Sequence, residues 1–479
     1  ILISCYDEET EVLTEKGWKF FKNCTKKDRF FSLNPNTKEI LFSNAERIIE
    51  QKYKGKMFQL DSKMINLCVT PNHKLFIGKL NKKRQLVYRL EDAQDAFGKK
   101  NNRYLKNGIW KGGYTPKRIT IDACPSKGSQ KEELNRPYVV KTEDYIEAMA
   151  YILSDGYYLS EDYKRNDTNQ NVYEVGIRQK GKERINRLGN ALQRITENKV
   201  YYSERGVLVR DKRLWNHVKR FGKCKEKFIP EIIKKMTGEM LYLFWQSYAF
   251  CDGLHKNSNI IFTSSKRMCD DLQEIALKMG YSANYIERND KIPNKIGDRY
   301  IVSTGTNYRV SLTTQMNQPL CTHGKQEWVD YDGIIRCAVV PPYHLLYVRR
   351  KGKTCWCGNT GYATITREIM KRLWKTGEFD ITHFGWQFIG NPCYYNPYEN
   401  AVSDAKKGIQ LIPSSGKSQF GNDILQAYIK RYKPDLTYVL ADTFMLHDWI
   451  YNVDFAPSKF LMYFPSDGEP MPIWCENVL

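Results

Sequence analysis

The stretch Cys355–Gly361 reads C-W-C-G-N-T-G, and how the chain divides into domains turns on its Asn359–Thr360 step. An Asn beside a hydroxyl residue is ordinary turn chemistry by itself. Its company is less ordinary. V-V-P-P-Y-H-L-L-Y-V-R-R-K-G runs from Val339 to Gly352 just upstream, and near the other end of the chain stand Cys5 and T-P-N-H, Thr70–His73.

Working outward, the text from Cys5 to about Gly78 is a dense series of short strand-like runs, among them R-F-F-S-L, A-E-R-I-I-E, K-M-F-Q-L and K-L-F-I, punctuated by Asn-Pro, Lys-Gly and Pro-Asn. This spacing predicts an all-β domain, and periodicity alone fits any small barrel equally well. Short strands return after about Gln326, so the β-domain is predicted to be split. Residues 79–140 are polar and basic, with Lys and Arg interleaved by aromatics, and suit either a solvated linker or a DNA-contact region. From Thr142 the pattern is helical under Thr and Glu cap signals, and A-M-A-Y-I-L-S-D-G ends at Gly156. A second helix begins near Glu239 and its W-Q-S-Y-A-F-C-D-G ends at Gly253. Each is followed by a β-rich stretch and an amphipathic helix, so the two segments form a pseudo-symmetric pair rather than an array.

At 479 residues the chain has room for three or so domains. No apolar run approaches the roughly 20 residues needed to span a bilayer, and the opening I-L-I-S is no secretory signal, so a cytoplasmic protein, or a piece of one, is expected. The 13 cysteines, odd in number and without a repeating spacing, fit reduced thiols; Cys355 and Cys357 lie too close for usual zinc ligands and have no second pair. The net charge of +21 is unevenly placed. Residues 360–479 hold 11 Lys and Arg against 13 Asp and Glu, leaving 64 against 41 in residues 1–359. A polyanion-binding part therefore lies before Asn359.

Together, Cys5, Thr70–His73, the Val339–Gly352 run and Asn359–Thr360 resemble the terminal blocks of an intein, a self-excising insert, of class 1 type. The resemblance implies that the Cys5 thiol attacks the Ser4 carbonyl, with Thr70 stabilising the oxyanion and His73 serving the departing amine. Thr360 is then the second nucleophile, Asn359 cyclises to release residues 5–359, and His344 assists by proton transfer. Splicing needs no cofactor. Gly358 stands where the family often has His. Cys337 stands where many relatives carry Asp, and is either a modulator of proton transfer, an additional acyl acceptor, or a core strand cysteine.

The paired Asp-Gly stretches resemble the two LAGLIDADG motifs of homing endonucleases. Small residues at Ala150 and Ser247 suit close helix packing, and Asp155 and Asp252 end their helices at the negative pole. The resemblance implies that these carboxylates hold Mg²⁺ for cleavage of double-stranded DNA, with strands in the major groove. Lys227, in K-F-I-P-E-I-I, matches a family Lys that stabilises phosphate or activates water.

Beyond Asn359, Ile365, Ile369 and Leu373 share one helical face. Joined to residues 1–4 they read as strand, turn and helix, and with R-Y-K-P-D-L-T-Y-V-L-A-D and F-L-M-Y-F-P-S-D-G-E-P resemble the start of a glycosyltransferase with Rossmann-like halves. No second domain follows, so glycosyl transfer by this polypeptide is not expected. The predicted fold is multi-domain: an all-β Hint horseshoe (5–78 and 326–359), a basic linker or DNA-contact region (79–140), an α+β LAGLIDADG endonuclease of two αββαββα repeats (141–325), and an α/β Rossmann-like flank (1–4 and 360–479). A monomer without membrane contact is expected. A free-standing DNA nuclease and a glycosyltransferase fragment with an inert insertion remain the rival readings.

Overall fold

The computed structural model describes residues 4–124, 136–164, 171–254, 257–288, 294–296, 299–301, 305–321, 325–358, 362–385, 391–396, 402–403, 408–414, 421–440, 449 and 451–463. The chain divides into two compact units: Cys5–Asn359, and a second composed of Ile1–Ser4 with Thr360–Leu479.

In the first unit, strands from both ends of the segment share sheets. One sheet runs in the order Lys353–Gly358, Leu345–Arg350, Glu11–Thr14, Arg29–Leu33, Ile40–Asn44, with Gly17–Phe20 also on Glu11–Thr14. Another joins Gln326–Val339, Arg47–Asp61 and Asn66–Val69. The Lys-Gly punctuation at Lys54–Gly55 predicts a break here, yet Arg47–Asp61 is one continuous strand paired along the whole of Gln326–Val339. Tyrosines explain the difference. A Cβ on Gly55 would meet the Tyr53 hydroxyl at 2.9 Å, and one on Gly333 the Tyr331 hydroxyl at 3.0 Å. Those hydroxyls donate to the carbonyls of Lys56 at 2.8 Å and Ile334 at 2.9 Å. Each ring covers the bare backbone that would otherwise weaken the strand.

Residues 79–140 are no bare tether. Leu86–Asp92 pairs with Lys74–Leu80, and Arg118–Ile121 pairs with Tyr138–Lys141. Ile119, Ile121, Tyr138 and Val140 join the core of the helical repeats, while Leu105 joins that of the β-domain. The alternation in Arg118–Ile121 is a half-buried strand with period two, hidden in the sequence by its basic surroundings.

The repeats share an αββαββ order, and the closing helix of the predicted αββαββα follows only the first, as Lys212–Lys219, among the described residues. In the first, helix Thr142–Asp155 leads to strands Gly156–Tyr158 and Glu174–Arg178, helix Lys182–Arg194, and strands Val200–Ser203 and Gly206–Arg210. In the second, helix Gly238–Asp252 leads to Gly253–Leu254, Asn257–Thr263, helix Lys266–Lys278, Ser282–Arg288 and Asn307–Thr313. Both sheets place the first two strands beside the fourth and put the third at the edge. The second repeat adds a hairpin of Asn294–Ile296 and Arg299–Ile301. Glu143 and Asp144 occupy the first turn of the first helix, where its dipole favours them. Thr142 does not cap that helix as predicted: it is the first helical residue, and its hydroxyl donates to the Pro116 carbonyl.

The Asp-Gly pairs have a steric origin. A Cβ on Gly156 would lie 2.3 Å from the Ile152 carbonyl oxygen, and one on Gly253 would lie 2.2 Å from that of Ala249. With Ala150 and Ser247 fully buried, the two helices pack together in one apolar core that spans both repeats.

β-domain and repeats meet at a polar seam. Arg349, fully buried, donates to both Glu11 carboxylate oxygens at 2.7 and 2.6 Å, to Gln273 at 2.7 Å, and to Asp270. Gln273 in turn donates to the Gly352 carbonyl at 3.0 Å, and Leu277 of the same helix enters the β-domain core.

The second unit holds helix Tyr362–Thr376, a sheet in which Thr382–Gly385 runs parallel to Ile409–Pro413, helix Asn422–Tyr432, and the parallel pair Leu436–Leu440 and Lys459–Tyr463. Ile365 lies in that first helix, but its side chain is outside the described residues, as are Ile1–Ile3.

Removing one partner of a buried ion pair strands the others in low dielectric. Arg349→Ala is expected to lower unfolding free energy by about 3–5 kcal/mol in urea titrations; a loss below about 1 kcal/mol, the level of a surface pair, would mean the seam carries little.

Candidate functional sites

The first site is organised by strand pairing at the start of the first unit. Tyr6 and Arg336 exchange both main-chain hydrogen bonds, each at 2.9 Å. In an antiparallel ladder the adjoining pair is then non-hydrogen-bonded, with side chains at their closest, and that pair is Cys5 with Cys337. The two thiols are hydrogen-bonded, and burial, with Cys5 second, pushes the Cys337 thiol well up, so it stays protonated. On the other side Thr70 brackets Cys5. The Cys5 N–H, belonging to the Ser4–Cys5 peptide, donates to Thr70 Oγ1 at 3.0 Å, and the Thr70 N–H donates to the Cys5 carbonyl at 3.1 Å.

The same turn carries His73, whose N–H donates to the Thr70 carbonyl at 3.0 Å. The His73 Nε2 lies 3.3 Å from Cys357 Sγ, the imidazole is hydrogen-bonded to the Gly358 main chain, and its ring meets the Tyr6 ring edge-on at 4.3 Å. Burial drives the His73 pKa down to about 3, so the imidazole is neutral at physiological pH. Cys5, Thr70, His73 and Cys337 are thus brought together. His344 precedes Leu345, the residue paired with Gly358. It sits in the left-handed region at φ 52°, its N–H bonded to the Val340 carbonyl at 3.0 Å. Its Nδ1 is buried without a hydrogen-bond partner among the described residues. Burial pushes its pKa down, against Glu46, which pulls it up. Asn359 and Thr360 lie outside the described residues. Tyr6 and Cys357 carry no local sequence signal as site residues, since each acquires its role only through contact with Gly358 and His73.

The second site lies where the two long helices end side by side. Asp155 accepts from Gln179 Nε2, and Gln179 accepts from Arg184 at 3.5 Å. Asp252 bonds the Tyr248 hydroxyl. Cys251 and Ser154, the residues before the two acids, are hydrogen-bonded across the helix pair. Lys227 inserts between, donating to the carbonyls of Ile152 at 3.2 Å, Ser154 at 2.8 Å and Gly156 at 2.9 Å. Its three donors are therefore spent on the end of the first helix, a capping role in addition to those predicted. Burial lowers the Lys227 pKa, while Asp252 and Asp155 pull it up. Gln179 and Arg184 were missed because only the fold brings the far end of a strand and the next helix back to Asp155.

Burial, then Asp155, raises the Asp252 pKa to about 7, and burial raises that of Asp155. Two half-buried carboxylates at negative helix poles repel each other. Among the described residues no three His, Cys, Asp or Glu side chains group as a metal cluster. The donors present are two carboxylates among main-chain carbonyls, all hard oxygens of the kind Mg²⁺ takes.

No protein-family model matches the chain. Among curated proteins it is similar to one from Stigeoclonium helveticum named the DNA-directed RNA polymerase subunit beta C-terminal section, 24% identical over 425 residues, covering 78% of this chain and 38% of that protein. It is also similar to the ATP-dependent Clp protease proteolytic subunit of Chlamydomonas moewusii, 23% identical, covering 58% and 28%. A third is the replication factor C small subunit of Methanocaldococcus jannaschii, 27% identical, covering 36% and 10%. The chain thus spans well under half the length of each curated relative it matches. Among solved structures it is similar to the AceL NrdHF class 3 split intein in a splice-inactive variant, with TM-score 0.19, 16% identity, and coverage of 29% of this chain and 71% of that one. A variant of the Ssp DnaB mini-intein gives TM-score 0.17, 11% identity, and coverage of 22% and 62%. The homing endonuclease I-WcaI bound to its DNA recognition sequence gives 0.22, 10%, and 36% and 76%. TM-scores this low establish neither fold nor activity. No helix among the described residues is long and apolar enough to cross a membrane.

The raised Asp252 pKa has a sign. Between the unfolded value of 3.8 and the folded value of about 7 the folded state binds the extra proton, so this group's contribution to stability falls as pH rises through that window. Asp252→Asn is expected to flatten that fall and to raise the urea midpoint at pH 7 relative to wild type; parallel pH profiles for the two proteins would show that the carboxylate is not strained.

Proposed function

We propose that residues 5–359 form a self-splicing intein that carries a LAGLIDADG-type homing endonuclease, inserted in a glycosyltransferase-like host segment. One observation carries the reading. The compact unit Cys5–Asn359 begins and ends at the two residues whose chemistry excision needs, and the residues outside it, though far apart in sequence, cluster as one unit. The curated relatives add support, since an RNA polymerase subunit, a protease subunit and a replication factor share no named activity, as expected of a mobile segment carried by different hosts.

The splicing chemistry follows from the contacts. The Cys5 thiol attacks the Ser4 carbonyl carbon, and the nitrogen that departs is the one bonded to Thr70 Oγ1. The Thr70 hydroxyl can shift from accepting this N–H to supporting the oxyanion or the leaving amine. His73, neutral, passes protons by accepting at one ring nitrogen and donating at the other. The acyl group moves from Cys5 to the Thr360 hydroxyl, and the Asn359 side-chain amide closes on its own carbonyl. His344, half-buried beside the Gly358 pair and with no Nδ1 partner among the described residues, serves that closure. An oxygen-to-nitrogen shift then joins Ser4 to Thr360. Cys337, opposite Cys5, is placed to hydrogen-bond its thiol before attack.

For the nuclease, Asp155 and Asp252 would hold Mg²⁺, which when bound supplies a Lewis acid for the scissile phosphate. Gln179 and Tyr248 orient the two carboxylates, and Lys227 quenches the negative helix end beneath them. Exposed Arg178, Arg205 and Arg210, with Tyr201 beneath the Arg210 guanidinium, give the first sheet a basic face with an aromatic ring, suited to the major groove of double-stranded DNA.

Expression of the 479-residue chain is expected to yield two products by mass spectrometry, residues 5–359 and residues 1–4 joined to 360–479. Cys5→Ala should leave the full-length chain and Asn359→Ala should trap thioester or branched species; a full-length wild-type chain would refute splicing. Separately, with Mg²⁺ the protein should cut a plasmid bearing the uninterrupted host sequence, and an Asp155→Asn protein that cuts equally well would remove that carboxylate from the reaction.

A further inference from the structure

The structure supplies a steric reason for the glycine that precedes Asn359. A Cβ on Gly358 would lie 2.6 Å from the Lys74 main-chain carbonyl oxygen and 2.4 Å from Leu90 Cδ2. Leu90 is the far end of a flexible side chain and could yield. The Lys74 carbonyl belongs to the strand Lys74–Leu80, which starts directly after His73, and could move only with that strand. Position 358 can therefore offer its main chain alone.

That main chain is held. The Tyr6 hydroxyl donates to the Gly358 carbonyl at 3.2 Å, and the His73 imidazole is hydrogen-bonded to the same main chain. Cys357 Sγ lies 3.3 Å from His73 Nε2 and is also hydrogen-bonded to the Tyr6 hydroxyl, which ties the three side chains together. All three side chains are fully buried, and the Tyr6 ring is stacked on Phe21 at 5.0 Å. We propose that Tyr6, His73 and Cys357 are positioning residues for the downstream junction, clamping the Gly358–Asn359 peptide through its carbonyl in place of a side chain at 358. The proposal rests on the self-splicing reading and deepens it. Burial keeps the clamp uncharged, since it takes His73 down to about 3 and Cys357 up to about 12.

The step it serves is the cyclisation of Asn359. The side-chain amide nitrogen forms a bond to the Asn359 main-chain carbonyl carbon, the bond from that carbon to the Thr360 nitrogen breaks, and the proton shed by the attacking nitrogen ends on the departing Thr360 amine. Closing this ring requires one arrangement of backbone and side chain, so fixing the preceding peptide removes a torsion from the search. The clamp also links the two junctions. Tyr6 directly follows Cys5, and His73 shares a turn with Thr70, which binds the Cys5 N–H.

Tyr6→Phe removes the hydroxyl and keeps the ring in its stack. In the full chain it is expected to accumulate the branched ester because Asn359 cyclisation slows about 10-fold, the worth of one buried hydrogen bond. Thioester formation, read in an Asn359→Ala chain as thiol-induced cleavage at Ser4–Cys5, should be unchanged. Cys357→Ala should likewise slow cyclisation selectively, and Cys357→Ser should restore it. Equal slowing at both junctions would reduce the cluster to ordinary core, and wild-type cyclisation rates in both variants would remove it altogether. A wild-type chain that never loses mass overturns the splicing reading itself, a result distinct from either of these.

Discussion

Two hydrogen bonds between Tyr6 and Arg336 set the register on which the first site depends. Because side chains alternate along a strand, a slip of one residue would turn Cys5 away from Cys337 and Thr70 together. The register is guarded from outside by charge. Arg336 donates to Glu50 at 2.8 Å and to Glu8 at 3.2 Å, tying its strand to the neighbouring one and to the residues just after Tyr6. It is also guarded by length, since Cys337 rides on a strand paired along its entire course with Arg47–Asp61. Residues widely separated in sequence are thereby held in one geometry by main-chain bonds rather than by any single side chain.

The helical repeats are accommodated without breaking that arrangement because the β-domain closes on itself first. Leu345–Arg350 pairs with Glu11–Thr14, and Gln326–Val339 with Arg47–Asp61, so strands before and after the repeats zip together and leave the repeats as a loop with a core of its own. The seam between them combines the Arg349 ion pairs with the apolar contact of Leu277. Arg349, beside the apolar contact of Leu277, specifies one docking geometry, because a shifted docking would leave a buried guanidinium unpaired.

Much of this was legible beforehand for a physical reason. Cys5, Asp155 and Asp252 stood out because their chemistry is tied to local signals, a chain position or an Asp-Gly helix end, that survive in one dimension. The repeats were legible because two helices of the same period recur with the same sequel. What escaped detection was whatever depends on contact between distant strands. The continuity of Arg47–Asp61 across Gly55 needs Tyr53 above it and a partner strand beside it. Gln179 reaches Asp155 only once the strand before it is paired, and the placement of residues 79–124 and 136–140 comes from burying Ile119 and Leu105 in two different cores. Tyr6 and Cys357 were invisible for the same reason, since each matters only through Gly358.

Both sites hold polar groups where apolar packing would be more stable, and in both the compensation is incomplete in a directed way. Lys227 gives all three of its donors to the carbonyls around Asp155 and none to the carboxylates themselves, so it softens the helix end while leaving Asp252 strained enough to hold its proton up to about pH 7. A direct ion pair to either carboxylate would remove that strain. At the first site a buried nitrogen, Nδ1 of His344, has no hydrogen-bond partner among the described residues, on a residue held at φ 52° with its N–H bonded to the Val340 carbonyl. A conformation that sparse persists only where surrounding structure enforces it. The strands that enforce it are those that align Cys5 and Gly358, so the left-handed backbone of the histidine and the register of the upstream cysteine follow from one constraint.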